Sequence, residues 1–178
     1  MTTKVDDNTI KLEKNKNEII KLLKSTNRKS IDLLIQYLES ANFFRLPKSL
    51  GVDEKHLGGL AEHSLAVYND LKKMNIELNL NLKEDSMIIA ALLHDVCICD
   101  EIEEDKGKFV YNNNARHGYR SAKLIKHLLQ GEITDEELYS IYWHIEPSNR
   151  NEEAINNLKD ECKQYTMIYY LQIADMKN

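Results

Sequence analysis

The stretch Met87-Ile88-Ile89-Ala90-Ala91-Leu92-Leu93-His94-Asp95-Val96-Cys97-Ile98-Cys99 is apolar everywhere except at His94 and Asp95. It falls well short of the roughly 20 residues a membrane span needs and has the length of a buried core helix. Asp85 or Ser86 is placed to cap it. Helical spacing continues upstream, where Gly58-Gly59 opens a segment with Leu60, His63, Val67, Leu71 and Met74 on one face. Before that come an irregular stretch, Asn42 to Leu57 with Pro47 and Gly51, and a helix built on Ile31, Leu34, Ile35 and Leu38 with Ser30 as its expected N-cap. Ile10 to Leu23 reads as a weaker amphipathic helix rich in lysine.

Downstream, Asp100 to Ala115 reads as a polar loop of about fifteen residues, a length that usually carries function. Spacing resumes with His117, Ser121, Leu124 and Leu128, and Gly131 ends it. Thr134 followed by Glu137 forms a capping-box pattern for a helix to Ile145, and Pro147 to Arg150 reads as a turn. A last helix carries Ile155, Leu158, Cys162, Tyr165, Ile168, Leu171 and Asp175. No internal repeat and no alternating strand is visible. The expected fold is all-α, a single compact domain of about seven helices. Within it, residues 1–29 form an N-terminal helical extension and 30–178 the core.

Composition narrows the function classes. The 178 residues include 24 Lys and Arg against 29 Asp and Glu, a formal charge of −5. An acidic chain without a basic stripe does not hold long nucleic acid through bulk charge. Only two prolines and six glycines are present, too few for a turn-rich β sandwich or barrel. Met1 to Asn17 is polar and contains no signal-peptide core, and three cysteines without metal-type spacing do not form a disulfide framework. A reduced, cytoplasmic protein is expected. Lys24, Arg28 and Lys29 read as a solvated helix end, and Cys97 and Cys99 as core packing.

Polar side chains stand where the helical pattern demands apolar ones. His63, His94, His117 and His144 fall on the inward stripes of different helices, and Asp175 follows Ile168 and Leu171 on the same face. Burying an unpaired carboxylate costs several kcal/mol or shifts its pKa. A shared cation satisfies all five at once, and imidazoles with carboxylates are a ligand set for Mn, Fe, Co, Ni or Zn. His94 and Asp95, adjacent on a helix, point about 100° apart, so they flank an ion beside the helix or let the carboxylate bridge two.

These pieces, in order, are GGLAEHS (58–64), ALLHDVC (91–97), RHGYRSAKLI (116–125), YWHI (142–145) and LQIADM (171–176). Together they resemble the HD-domain metal-dependent phosphohydrolases, and Asn42 to Pro47 is similar to a segment some members place upstream. The resemblance covers roughly residues 30–178. It implies one or two ions: His63, His94, Asp95 and Asp175 as the ligands, and, if a second ion binds, Asp95 bridging to it with His117 and His144 on it. It further implies a metal-activated water attacking a phosphomonoester or phosphodiester, with a small nucleotide or other phosphate ester as substrate. Two ions in such a site lie roughly 3.5–4 Å apart.

One departure is Ile98, where the family usually has Lys after His-Asp. Arg120 and Arg116 are the expected replacements against the substrate phosphate, with Lys106 and Lys108 as loop alternatives. If Ile98 stands in place of a phosphate contact, Ile98→Lys is expected to raise activity. The same departure supports an alternative, a degenerate domain that binds metal and nucleotide as a sensor or interaction module without turnover. His56 and His127 read as surface residues.

Overall fold

The computed structural model describes residues 7–48, 57–105, 108–111, 117–145 and 152–178. Its elements in chain order are α1 (Asp7–Ser25), α2 (Ile31–Ser40), α3 (Gly59–Glu77), α4 (Glu84–Leu93), α5 (Ile98–Glu101), β1 (Ile102–Asp105), β2 (Lys108–Tyr111), α6 (His117–Leu128), α7 (Asp135–Trp143), α8 (Glu152–Gln164) and α9 (Thr166–Lys177). The fold is all-α, with one small hairpin inserted. None of its helices, among the described residues, is long and apolar enough to cross a membrane.

Helix α4 is the centre of the molecule. Every residue from Ser86 to Leu93 is buried, and α1, α3, α7 and α9 pack around it. A helix apolar on all sides is stable only when enclosed in this way. The amphipathic helices supply the enclosure: α3 turns Leu60, Val67, Leu71 and Met74 inward, and α1 contributes Ile19 and Leu23. At the start of α3, Gly58 adopts φ 83°, a left-handed conformation that glycine takes without a Cβ penalty.

Several local expectations are corrected. The apolar run is not one helix from Met87 to Ile98. Regular α4 ends at Leu93, and Val96, Ile98, Cys99 and Asp100 donate to carbonyls three residues back, a tighter winding that leads into the single turn of α5. Ser30 makes no side-chain cap; its backbone N–H donates to Glu132 Oε2 at 3.4 Å. Neither Asp85 nor Ser86 caps α4, which starts one residue earlier with Lys83 as cap residue, while Ser86 Oγ donates to Glu137 Oε1 at 2.7 Å. The Thr134/Glu137 capping box is present with both of its bonds.

The final helix is two. Tyr165, at φ −124° and ψ 96°, breaks it, and its ring stacks on Tyr139 of α7 with centroids 5.5 Å apart. That stack re-aims the chain, so α9 buries Met167, Ile168, Leu171 and Ala174 whereas α8 buries no residue fully. The polar stretch after Asp100 is likewise not all loop. Its residues 102–105 and 108–111 pair antiparallel, with Ile102 opposite Tyr111 and Asp105 opposite Lys108. The strands are four residues each, and Ile102-Glu103-Glu104-Asp105 contains a single apolar residue, so no alternation announces them. Asn112 to Ala115 and the turn at Pro147 to Arg150 lie outside the described residues.

Arg28 is not a solvated helix end. Its guanidinium reaches Glu137 Oε1 at 2.6 Å and the Glu132 carbonyl, tying the α1–α2 connection to α7.

Candidate metal centre

Six side chains from five elements converge at one end of α4. His63 comes from the second turn of α3, and His94 and Asp95 from the tight turn after α4. His117 is the first residue of α6, His144 directly follows α7, and Asp175 lies in the last turn of α9. His63, His94, Asp95 and His144 are buried; His117 and Asp175 are half-buried.

Helix ends explain how two of these rings are aimed. The last carbonyls of a helix have no intrahelical partner and accept from whatever donor is nearby. His94 Nδ1 meets the Ala91 carbonyl at 2.9 Å, and His144 Nδ1 meets the Ile141 carbonyl at 2.7 Å. A carbonyl only accepts, so both rings carry a proton on Nδ1 and turn Nε2 toward the cluster. His117 has Cys97 Sγ 3.3 Å from Nδ1 and likewise turns Nε2 inward.

The Nε2 atoms and carboxylate oxygens form two overlapping groups. In the first, His63 Nε2 lies 3.2 Å from His94 Nε2 and 3.0 Å from Asp175 Oδ1, and Asp95 Oδ2 lies 3.8 Å and 3.4 Å from the two rings. In the second, Asp95 Oδ1 lies 2.9 Å from His117 Nε2 and 3.2 Å from His144 Nε2. Three sets from these residues could hold an ion: His63/His94/Asp95, His94/His144/Asp175 and Asp95/His117/His144.

This donor set fits divalent cations. Two neutral imidazoles pointing Nε2 at each other repel unless a proton or a metal ion lies between them, and nitrogen with carboxylate oxygen suits transition metals. Without an ion, protons take over that work. Burial by itself lowers the His94 pKa, but the charges and hydrogen bonds of Asp95 and Asp175 outweigh it and push it up to about 10. His117 is raised to about 11, where burial is again overcome by its bonds to Asp95 and Cys97. Burial favours the protonated forms of Asp95 and Asp175, yet the surrounding imidazoles hold both well below the usual carboxylate range.

Gly118 brings the two halves of the second group together. A Cβ at this position would lie 2.9 Å from the Ile141 carbonyl oxygen and 3.0 Å from the Tyr142 carbonyl carbon, and closer still to the Tyr142 oxygen. Only glycine lets α6 approach α7 this closely. The His117 and His144 rings sit 6.0 Å apart as a result. The family model of the HD domain matches residues 60–173, more than half of the chain. The protein belongs to the HD-domain family. That superfamily comprises metal-dependent phosphohydrolases, and the matched span contains His63, His94, Asp95, His117 and His144, with Asp175 two residues beyond it. No curated protein and no solved structure matches the chain.

The remaining residues singled out from sequence divide clearly. Ile98, where the resemblance leads one to expect Lys, is 2% exposed and packed in the core. Arg120 sits half-buried one turn along α6 from His117. Arg116, Lys106 and His56 lie outside the described residues, and His127 is exposed on α6. Cys97 is buried as expected, but its thiol contacts a cluster histidine instead of only filling space. Neither this contact nor the role of Gly118 follows from helical periodicity; a glycine inside a helical pattern beside His117 was the one available signal.

Proposed function

We propose that this HD-domain protein is a hydrolase that cleaves a phosphomonoester or phosphodiester bond, in a nucleotide or similar small phosphate ester, using two divalent ions. The observation that carries this reading is the placement of Asp95: one oxygen faces His63 and His94, the other faces His117 and His144. In this reading His63, His94 and Asp175 hold the first ion, His117 and His144 the second, and Asp95 belongs to both. Bound divalent ions lower the pKa of water toward neutrality and neutralise charge on the phosphoryl oxygens. The ions are drawn from Mn, Fe, Co, Ni and Zn.

The chain's own residues orient and shield this centre. The carbonyls of Ala91 and Ile141 keep His94 and His144 in the Nδ1–H tautomer, leaving Nε2 as the ligand atom. Enclosure by α3, α4, α7 and α9 lowers the local dielectric, which strengthens each charge interaction with the substrate phosphate. Arg120 and Arg116 are the cations we assign to that phosphate, since Ile98 supplies none. The net charge of −5 favours a small substrate over a long polyanion.

A second reading, a domain that binds metal and nucleotide without turnover, draws support from Ile98 alone. Elemental analysis of protein purified without chelator, followed by aryl phosphate and phosphodiester assays with added Mn or Co, separates the two. Two ions per chain with turnover is the expected result. Two ions without turnover on any phosphate ester favours the sensor, and no ion uptake overturns both.

A further inference from the structure

The four cluster histidines are not oriented alike. His94 and His144 each follow the last residue of a helix, where orphan carbonyls are close at hand. His117 is the first residue of α6, and the orphan groups of a helix N-terminus are N–H donors, which cannot accept from Nδ1–H. The acceptor must come from another element. The tight turn after α4 brings Cys97 there: Sγ lies 3.3 Å from His117 Nδ1 and 3.4 Å from the His117 carbonyl oxygen. The thiol has one proton. Donating it to the carbonyl leaves the sulfur lone pairs to accept from Nδ1–H. Ser121, fully buried one turn along α6, accepts from the Cys97 backbone N–H at 3.2 Å and bolts this turn to the helix that bears His117.

We infer that Cys97 is the positioning residue for the second ion: its thiol, anchored through Ser121, fixes the tautomer and ring angle of His117 and so presents Nε2 beside Asp95. This rests on the two-ion reading above. Backbone carbonyls orient His94 and His144, and among the described residues the hydrogen-bond contacts of the Cys97 thiol go to His117 alone, so the first ion does not depend on Cys97. Loss of an orienting partner of a metal-bound histidine typically costs 10–100-fold in affinity.

The test is calorimetric titration of ion-free wild type, Cys97→Ala, Cys97→Val and Cys97→Ser with Zn, together with nitrogen-15 NMR of the Zn-loaded histidine rings. Cys97→Val fills the thiol's space without offering an acceptor, so it covers the case in which the alanine variant fails to fold. The expected result is a roughly 10–100-fold weaker second ion in the Ala and Val variants, with the first ion unchanged. Cys97→Ser is expected to restore second-ion affinity, and NMR to show Nδ1–H on His117 in the wild type. Unchanged second-ion affinity in Ala and Val, equal weakening of both ions, or a serine variant no better than alanine would overturn the inference. A wild type that takes up fewer than two ions overturns the two-ion reading as well, and the wild-type stoichiometry alone reports that failure.

Discussion

Replacing Glu137 with Ala tests whether the buried hub between α4, α7 and the α1–α2 connection is as costly to break as its geometry implies. The carboxylate is fully buried. Its Oε1 accepts from Arg28 Nη2 at 2.6 Å and from Ser86 Oγ at 2.7 Å, and Oε2 accepts from the Thr134 N–H at 3.0 Å. Removing one partner of a buried ion pair costs roughly 3–5 kcal/mol, because the other charge stays behind uncompensated. Arg28 keeps its bond to the Glu132 carbonyl, and its side chain is 13% exposed, so part of its charge reaches water. The lower end of that range, about 3 kcal/mol, is therefore expected. For a chain of this length each kcal/mol moves Tm by about 2–4 °C, which gives a drop of about 6–12 °C. Urea unfolding should show the same loss as a shifted midpoint at unchanged slope. Glu137→Gln keeps an acceptor for Arg28 and Ser86 but faces its amide NH2 to the Thr134 N–H, so a loss of roughly 1.5 kcal/mol is expected. Ion uptake well below Tm should match wild type, since none of these partners belongs to the metal cluster. A loss under about 1 kcal/mol for the alanine variant, the range of exposed pairs, would refute the burial reasoning.

Gly118→Ala should push α6 off α7, because the new Cβ meets only backbone atoms; overpacking of this kind costs about 1–3 kcal/mol. Stepwise ion titration is expected to show the second ion weakened before the first, and equal affinities would show that the helices yield without moving His117. Asp95→Ala should lose ion uptake and phosphate-ester turnover together, and retention of either in elemental analysis or assay would remove Asp95 from the shared position. Ile98→Lys buries an unpartnered ammonium at a site 2% exposed, so a lower Tm with no gain in kcat/KM is expected; a gain would mean the position faces substrate after all. In the ion-free protein His94 and His117 have raised pKa values, about 10 and about 11. Their stabilisation is complete below the unfolded value of about 6.5 and is lost as pH rises through those folded values. Ion binding displaces these same protons and runs the other way. Between pH 6 and 8 the ion-free Tm should therefore fall while the Tm gain on adding Mn grows, and parallel curves would show that binding releases no imidazole protons.

Helical spacing locates the inward faces, because five of the six cluster residues, all but Asp95, occupy positions that the repeat assigns to the core. It assigns His63, His94, His117, His144 and Asp175 to the interior. What spacing could not reveal was where helices stop. The apolar run 87–99 reads as one helix since nothing in it is a breaker, and the end of α4 at Leu93 is set by tertiary contacts: Tyr37 of α2 holds Asp100 at 2.8 Å, and Ser121 of α6 holds Cys97. The break at Tyr165 was hidden for the same reason, its stack on Tyr139 being a long-range contact. Arg28 looked solvated because its partner Glu137 is far away in sequence.

Those helix ends are what make the cluster chemically usable. A histidine in mid-helix has only carbonyls already engaged in the i→i−4 ladder, so its Nδ1 lacks a free acceptor. His63 shows the consequence: it lies within α3, and its buried Nδ1 has no partner among the described residues. Ending α4 at Leu93 and α7 at Trp143 frees carbonyls for His94 and His144, and starting α6 at His117 obliges that ring to borrow Cys97. Asp95 follows His94, whose backbone is still helical at φ −57° and ψ −34°. Its two oxygens reach four imidazoles, so that one carboxylate faces both groups of ligands.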